Sequence, residues 1–249
     1  MPKSRWLSLA LMLLSPLSVA EEIYIAVAAN FAAPMKAIAW QYEQQTGHQV
    51  HLSFGASGKF YAQLLQGAPF HLFLSADQEK PAALEQQGLT VAGSRFTYAV
   101  GSLALWTPRT GMTLNADTLK TTNFNHLALA NPKLAPYGAA AILTMEHHNL
   151  ITATQNRWVM GENIAQTYQF VSTGNADFGF VAMSQIFYQG QLKTGSAWIV
   201  PTNLYPPIRQ DAVLLKHAAD SVAAIGFLDF MRSKSATHLM QQYGYSTPE

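Results

Sequence analysis

The chain has 249 residues, nearly half of them apolar, so it can bury a proper core and is not a disordered segment. A formal charge of +1 with no basic run offers nucleic acid no electrostatic footprint. Having no cysteine, it can form no disulfide and carry no cysteine-linked lipid, so its stability must come from the core.

The first residues read as an address. Lys3 and Arg5 precede an apolar stretch, Trp6 to Leu14, that ends in Ser18-Val19-Ala20, small residues suited to a cleavage site. That stretch is well short of the roughly 20 apolar residues a membrane-spanning helix needs. Residues 1–20 are expected to be a cleaved signal peptide, with the mature chain starting at Glu21 and working, soluble and unanchored, in the periplasm. Losing Lys3 and Arg5 leaves 13 of the 15 basic residues against 14 acidic ones.

From Ile23 onward, buried strands alternate with helices. Ile23 to Ala28 reads as a strand, and Phe31, Met35, Ile38, Ala39 and Tyr42 recur at helical spacing until Thr46-Gly47 stops them. Val50 to Phe54 reads as the next strand, Gly55-Ala56-Ser57-Gly58 as a turn, and Phe60 to Leu65 as a short helix. Phe70 to Leu74 is a third strand that runs into Ser75-Ala76-Asp77, ahead of a helix from Lys80 to Gln87. Tyr98 to Trp106 predicts one long apolar strand crossing into a second lobe.

There the unit resumes, with strand His126 to Ala130, turn Asn131 to Gly138 and helix Ala139 to His147. Trp158 to Met160 precedes Asn163 and a helix to about Val171, and Phe178 to Ala182 and Trp198 to Val200 read as strands. Ala212 to Leu215 is a returning strand, and helices over about Ser221 to Arg232 and Ala236 to Tyr243 finish the chain. Such alternation implies an α/β fold of two lobes, each a mainly parallel sheet flanked by helices. Because the last segments complete the first sheet, residues 21–102 and 203–249 are assigned to lobe 1 and 103–202 to lobe 2.

In open parallel sheets ligands sit beyond the carboxyl ends of the strands, where helix starts present unpaired N–H groups. The junctions here carry Asn30, Ser57, Tyr137-Gly138 and Asn163-Ile164. Taken singly, a serine or asparagine at such a place is usually an N-cap for its own helix. Four junctions, two per lobe and none with a lysine or arginine, suggest instead a shared site for a small anion.

Other chemistry fits less well. Ser57 could serve as the nucleophile of an exported serine hydrolase, but Lys59 stands where a nucleophile elbow requires glycine. Gly58-Lys59 lacks the rest of a phosphate loop. His147 and His148 are adjacent on a helix and point in different directions, so they cannot share one ion. No residue is expected to ligate a metal cation.

The pieces Ala28-Ala29-Asn30-Phe31, Gly55-Ala56-Ser57-Gly58, Gly67-Ala68-Pro69 through Ser75-Ala76-Asp77, Asn131-Pro132-Lys133-Leu134-Ala135-Pro136-Tyr137-Gly138 and Tyr243-Gly244-Tyr245 stand in a specific order and spacing. Over nearly its whole mature length the chain resembles the periplasmic molybdate-binding proteins of ABC importers. That family has the two-lobed type II periplasmic binding protein fold, with its ligand in the interlobe cleft.

The resemblance implies that Asn30 and Ser57 donate to the oxyanion by side chain and backbone, and Tyr137 and Ile164 by backbone N–H, with Ala29 and Asn163 as secondary candidates. It also implies a monomeric, non-enzymatic receptor without a cofactor. Such a receptor delivers molybdate or tungstate to a membrane permease with a separate ATPase. A receptor for another oxyanion such as sulfate, the hydrolase using Ser57, and an adhesion module that kept the fold are the alternatives.

The chain departs from the family at several positions. One branch has a serine at the first junction and a tyrosine hydroxyl from the second lobe, where this chain has Asn30 and Ala182. Another has a threonine before the asparagine, where this chain has Ala29, so one side-chain donor is missing. His71 replaces the usual aspartate of the third strand. Burying a dianion costs on the order of tens of kcal/mol before relaxation, and each hydrogen bond to it returns roughly 1.5–3 kcal/mol. About six or seven donors are therefore needed, and both lobes must supply them.

Overall fold

The structure, a computed structural model, describes residues 20–247. Except for Ala20, the expected signal peptide lies outside the described residues. The chain opens with β1 (Glu22–Ala28), a short 3-10 turn (Ala29–Phe31), α1 (Ala32–Thr46), β2 (Gln49–Gly55), α2 (Ser57–Leu65), β3 (Leu72–Leu74), α3 (Glu79–Gln86) and β4 (Phe96–Gly101). It continues through β5 (Leu103–Thr107), α4 (Thr118–Thr121), β6 (Leu127–Ala130), α5 (Pro136–His147), α6 (Ile151–Thr154), β7 (Trp158–Gly161), α7 (Ile164–Ser172), β8 (Phe178–Ala182) and α8 (Met183–Ile186). A hairpin of β9 (Phe187–Tyr188) and β10 (Gln191–Leu192) leads to β11 (Ser196–Ile199), β12 (Ile208–Leu214), α9 (Val222–Phe230) and α10 (Lys234–Gln242). The hairpin and the short α4, α6 and α8 have too few residues to show a period, and sequence reading does not find them.

Two five-stranded sheets result, ordered β2-β1-β3-β12-β4 and β11-β5-β8-β6-β7. In the first, β1 pairs in parallel with β2 and β3 while β12 runs antiparallel to β3 and β4. In the second, β6 is parallel to β7 and β8 while β5 is antiparallel to β8 and β11. Each sheet thus has one strand set against the rest. In both it is the strand entered on arrival from the other sheet, β5 from β4 and β12 from β11. The fold is α/β with mixed sheets flanked by helices.

The long strand expected over Tyr98 to Trp106 is in fact two, β4 and β5, one in each sheet, broken at Ser102. Hydropathy runs through the break because both halves are buried, in different cores. Gly101 marks the spot, since a Cβ there would lie 2.0 Å from the Tyr137 hydroxyl. Two helices also start earlier than their periodicity suggests, α2 at Ser57 and α5 at Pro136. Glycine and proline in these first turns resemble a loop, yet proline suits a first helical position, where no intrahelical N–H bond is lost. Ser57 and Tyr137 are therefore first-turn residues.

One core gathers Ile23, Ile25 and Val27 of β1 under α1, α9 and α10. The other is built on Leu103, Leu105, Leu127, Leu129 and Phe180, and it also takes in Ala28, Ala29 and Ala76 from the strand ends of the first sheet. Apolar contact thus joins the two units at the floor of the cleft. Among the described residues no helix is long and apolar enough to cross a membrane.

Candidate anion-binding site

The carboxyl ends of β1, β2, β6 and β7 deliver four segments to one place. Asn30, Ser57, Tyr137 and Ile164, with Ala29 and Asn163, all line a single cavity of about 200 Å³, open mouth included. Only about 10 Å³ of it is open to the centre of a water-sized sphere, so the cavity has room for a compact ion and not for a drug-sized ligand. No lysine, arginine or histidine lines it.

The first N–H groups of a helix have no intrahelical acceptor. At these junctions most find one elsewhere. Gly58 donates to Leu134 O at 3.0 Å, Lys59 and Phe60 to Ala56 O, and Gly138 to Ala135 O at 2.9 Å. Asn163 caps α7 through its own side chain, with Oδ1 accepting from Ala165 N and Gln166 N, both at 3.0 Å. Among the described residues, the N–H groups of Asn30, Ser57, Tyr137 and Ile164 are left without an acceptor, two from each sheet's junctions.

The Ser57 hydroxyl adds a directed donor. Its oxygen accepts from Ala76 N–H at 2.9 Å, and it donates to no group among the described residues, so its proton is free for a ligand. Ser57 is 1% exposed, which keeps water from competing strongly for that proton. Asn163, used up in its cap, offers no side-chain donor. Ala29 brings only backbone. Ala182 does not line the cavity.

Asn30 is arranged differently from the expectation of a free side-chain donor. Its Nδ2 donates to Gln210 Oε1 at 2.8 Å and to the Tyr245 hydroxyl at 2.9 Å, and neither residue lines the cavity. Behind the site these groups form a buried polar cluster. Tyr98 donates to Gln210 Oε1, Gln210 Nε2 donates to the Tyr137 hydroxyl at 3.2 Å, and Tyr245 reaches both Asn30 O and Ser184 Oγ. Burial raises the phenols of Tyr98 and Tyr137 well above their ordinary range and pushes Tyr245 up to about 12, so all three stay neutral beside an anion.

Sequence reading misses Gln210, Tyr98 and Ser184. For Gln210 a signal existed: the polar run Arg209-Gln210-Asp211 standing between Ile208 and the apolar Ala212 to Leu214. A register shift between Gln210 and Asp211 turns both side chains into buried surroundings, as bulges beside functional sites commonly do.

The two units also meet across the cleft. Ser184 Oγ donates to Asn30 O at 2.8 Å, Gly58 N–H to Leu134 O, and Lys59 pairs with Glu162 at 2.5 Å on the exposed rim.

Residues 23–246 match the family described as bacterial extracellular solute-binding protein. The molybdate-binding protein ModA of Azotobacter vinelandii is 51% identical over 234 residues, which make up 94% of this chain and 93% of that relative. The chain belongs to this solute-binding family. The ModA of Rhodobacter capsulatus is 45% identical over 230 residues, 92% of this chain and 90% of that relative. In three dimensions this solute-binding protein superposes on the periplasmic molybdate-binding protein of Azotobacter vinelandii with a TM-score of 0.87 at 38% identity, covering 91% of this chain and 100% of that one. The hydrolase alternative has no support in the solute-binding fold: no histidine borders Ser57, whose oxygen is held by a backbone N–H.

Proposed function

We propose that the cavity captures molybdate, or tungstate of the same charge and nearly the same size, and that the protein delivers it to the permease of an ABC importer with a separate ATPase. The observation that carries this reading is the convergence of four acceptor-less N–H groups and one free hydroxyl from two lobes, with no cation among them. A donor-only site favours a fully deprotonated anion, because a protonated one needs an acceptor in return. Helix starts at α2, α5 and α7 add the positive ends of their dipoles. The relatives at 51% and 45% identity carry molybdate in their names, which favours it over sulfate.

In this reading Asn30, Ser57, Tyr137 and Ile164 bind the anion, and Ala29 and Asn163 shape the wall. Lobe 1 comprises residues 21–102 and 203–249 and lobe 2 residues 103–202, with the two crossings as the hinge. The liganded state is selected because it alone brings both donor sets together. Residues 1–20 direct the chain to the periplasm and are removed there.

Calorimetric titration with molybdate, tungstate, sulfate and phosphate tests the proposal, and no binding at millimolar concentration would refute it. Asn30→Ala and Ser57→Ala are each expected to weaken molybdate binding by roughly 1–3 kcal/mol with the fold intact by circular dichroism. Unchanged affinity in both would reduce them to structural residues.

A further inference from the structure

The anion reading of the site gives Asn30 a task that its side chain, as oriented here, does not perform. With Nδ2 bound to Gln210 and Tyr245, the amide end left over is Oδ1, which accepts from no group among the described residues. A carbonyl oxygen at the wall of an anion site is repulsive. Turning the Asn30 amide over would exchange it for an N–H donor, but in a rigid surround the turn would leave the carbonyl oxygen of Asn30 facing that of Gln210.

Gln210 can remove that conflict. It is fully buried, and its own amide lies between Asn30 and Tyr98 on the oxygen side and Tyr137 on the nitrogen side. If both amides turn together, Gln210 Nε2 donates to Asn30 Oδ1 and to the Tyr98 hydroxyl, which keeps its bond to Ser75 O. Gln210 Oε1 then accepts from the Tyr137 hydroxyl. Tyr245 redirects its proton to Asn30 Oδ1, while Ser184 keeps Asn30 O satisfied. Both settings leave every buried partner bonded, because hydroxyls accept and donate and the two ends of an amide have nearly the same shape. The cluster is therefore bistable, and an anion has differential affinity for one setting, as a population shift requires.

We infer that Gln210 is a positioning residue for anion capture: paired reversal of the Gln210 and Asn30 amides presents Asn30 Nδ2 to the bound oxyanion. The inference rests on the anion reading of the site and extends it by supplying the side-chain donor that the alanines at 29 and 182 cannot.

The test combines a mutant cycle with side-chain NMR on the full mature protein. A carboxylate at this position only accepts, so Gln210→Glu should hold the Asn30 amide in its turned-away setting and weaken molybdate binding about tenfold or more. The added charge also repels the anion directly, and Asn30→Ala separates the two effects. If Gln210→Glu acts through Asn30, the double variant binds within about threefold of Asn30→Ala alone. Full additivity overturns the inference.

On titrating wild type with molybdate, the side-chain amide signals of Asn30 and Gln210, assigned from Asn30→Asp and Gln210→Glu, should shift together. A shift at Asn30 with none at Gln210 overturns the paired reversal while leaving the anion site standing. Wild-type affinity in Asn30→Ala overturns this inference alone, whereas failure of wild type to bind overturns the anion reading with it.

Discussion

Gly138→Ala is expected to abolish high-affinity anion binding and to lower stability by about 3 kcal/mol, the upper end of ordinary overpacking. A Cβ at this position would sit 2.1 Å from the carbonyl oxygen of Ala130 and 2.8 Å from its carbon. Both are backbone atoms at the end of β6, so no rotamer change can yield. That end is itself fixed, because Ala130 pairs with Gly161 and Asn131 N–H donates to Gly161 O at 2.7 Å. The start of α5 must move instead, and it takes the N–H of Tyr137 with it. Losing that one hydrogen bond to a dianion costs roughly 1.5–3 kcal/mol, or about 10- to 150-fold in affinity. The same displacement breaks the Tyr137 contact to Gln210, so the loss should lie at the high end. Thermal unfolding should show a fall of about 6–12 °C. Molybdate affinity within twofold of wild type would show that the start of α5 takes no part in the site.

Arg95→Ala should be the most damaging substitution away from the cavity. Asp211 is 1% exposed, and its Oδ2 pairs with Arg95 at 2.9 Å, while its Oδ1 accepts from Thr97 at 2.6 Å and Gln78 at 3.1 Å. Arg95 also binds Glu85 at 2.8 Å, and these partners raise its already high pKa further. Removing one member of a buried pair costs about 3–5 kcal/mol because the other charge stays behind. Arg95 is a third exposed and two neutral hydrogen bonds remain, so about 2–4 kcal/mol is expected in urea unfolding. The double variant Arg95→Ala with Asp211→Asn should recover at least half of that, since no charge is left stranded. No recovery would assign the loss to the other partner of the guanidinium, Glu85, which Arg95 binds at 2.8 Å. Binding should weaken modestly as well, because Asp211 O accepts from Ser75 N–H and the next N–H, of Ala76, orients the Ser57 hydroxyl.

Much of this was readable in one dimension. The alternation of strand and helix period gave the α/β class, and β1, β7 and β8 lie within a residue of their expected bounds. Small residues and the lack of lysine or arginine at the four junctions pointed to backbone donors, and Asn30, Ser57, Tyr137, Asn163 and Ile164 border one cavity. Bounds failed where glycine and proline were taken for loop, at α2 and α5, and where a continuous apolar run hid the change of sheet at Ser102.

Residue type and period are local properties, so the amino-acid order was enough to say what the chain repeats and which helix starts could gather donors for an anion. Which N–H groups remain without an acceptor is a property of the folded whole. Asn30 shows why. Its amide is held by Gln210, 180 positions away, and by Tyr245, 215 positions away. A side chain whose direction depends on such distant partners carries no mark of it in its neighbours, and only the packed structure decides which end faces the cavity.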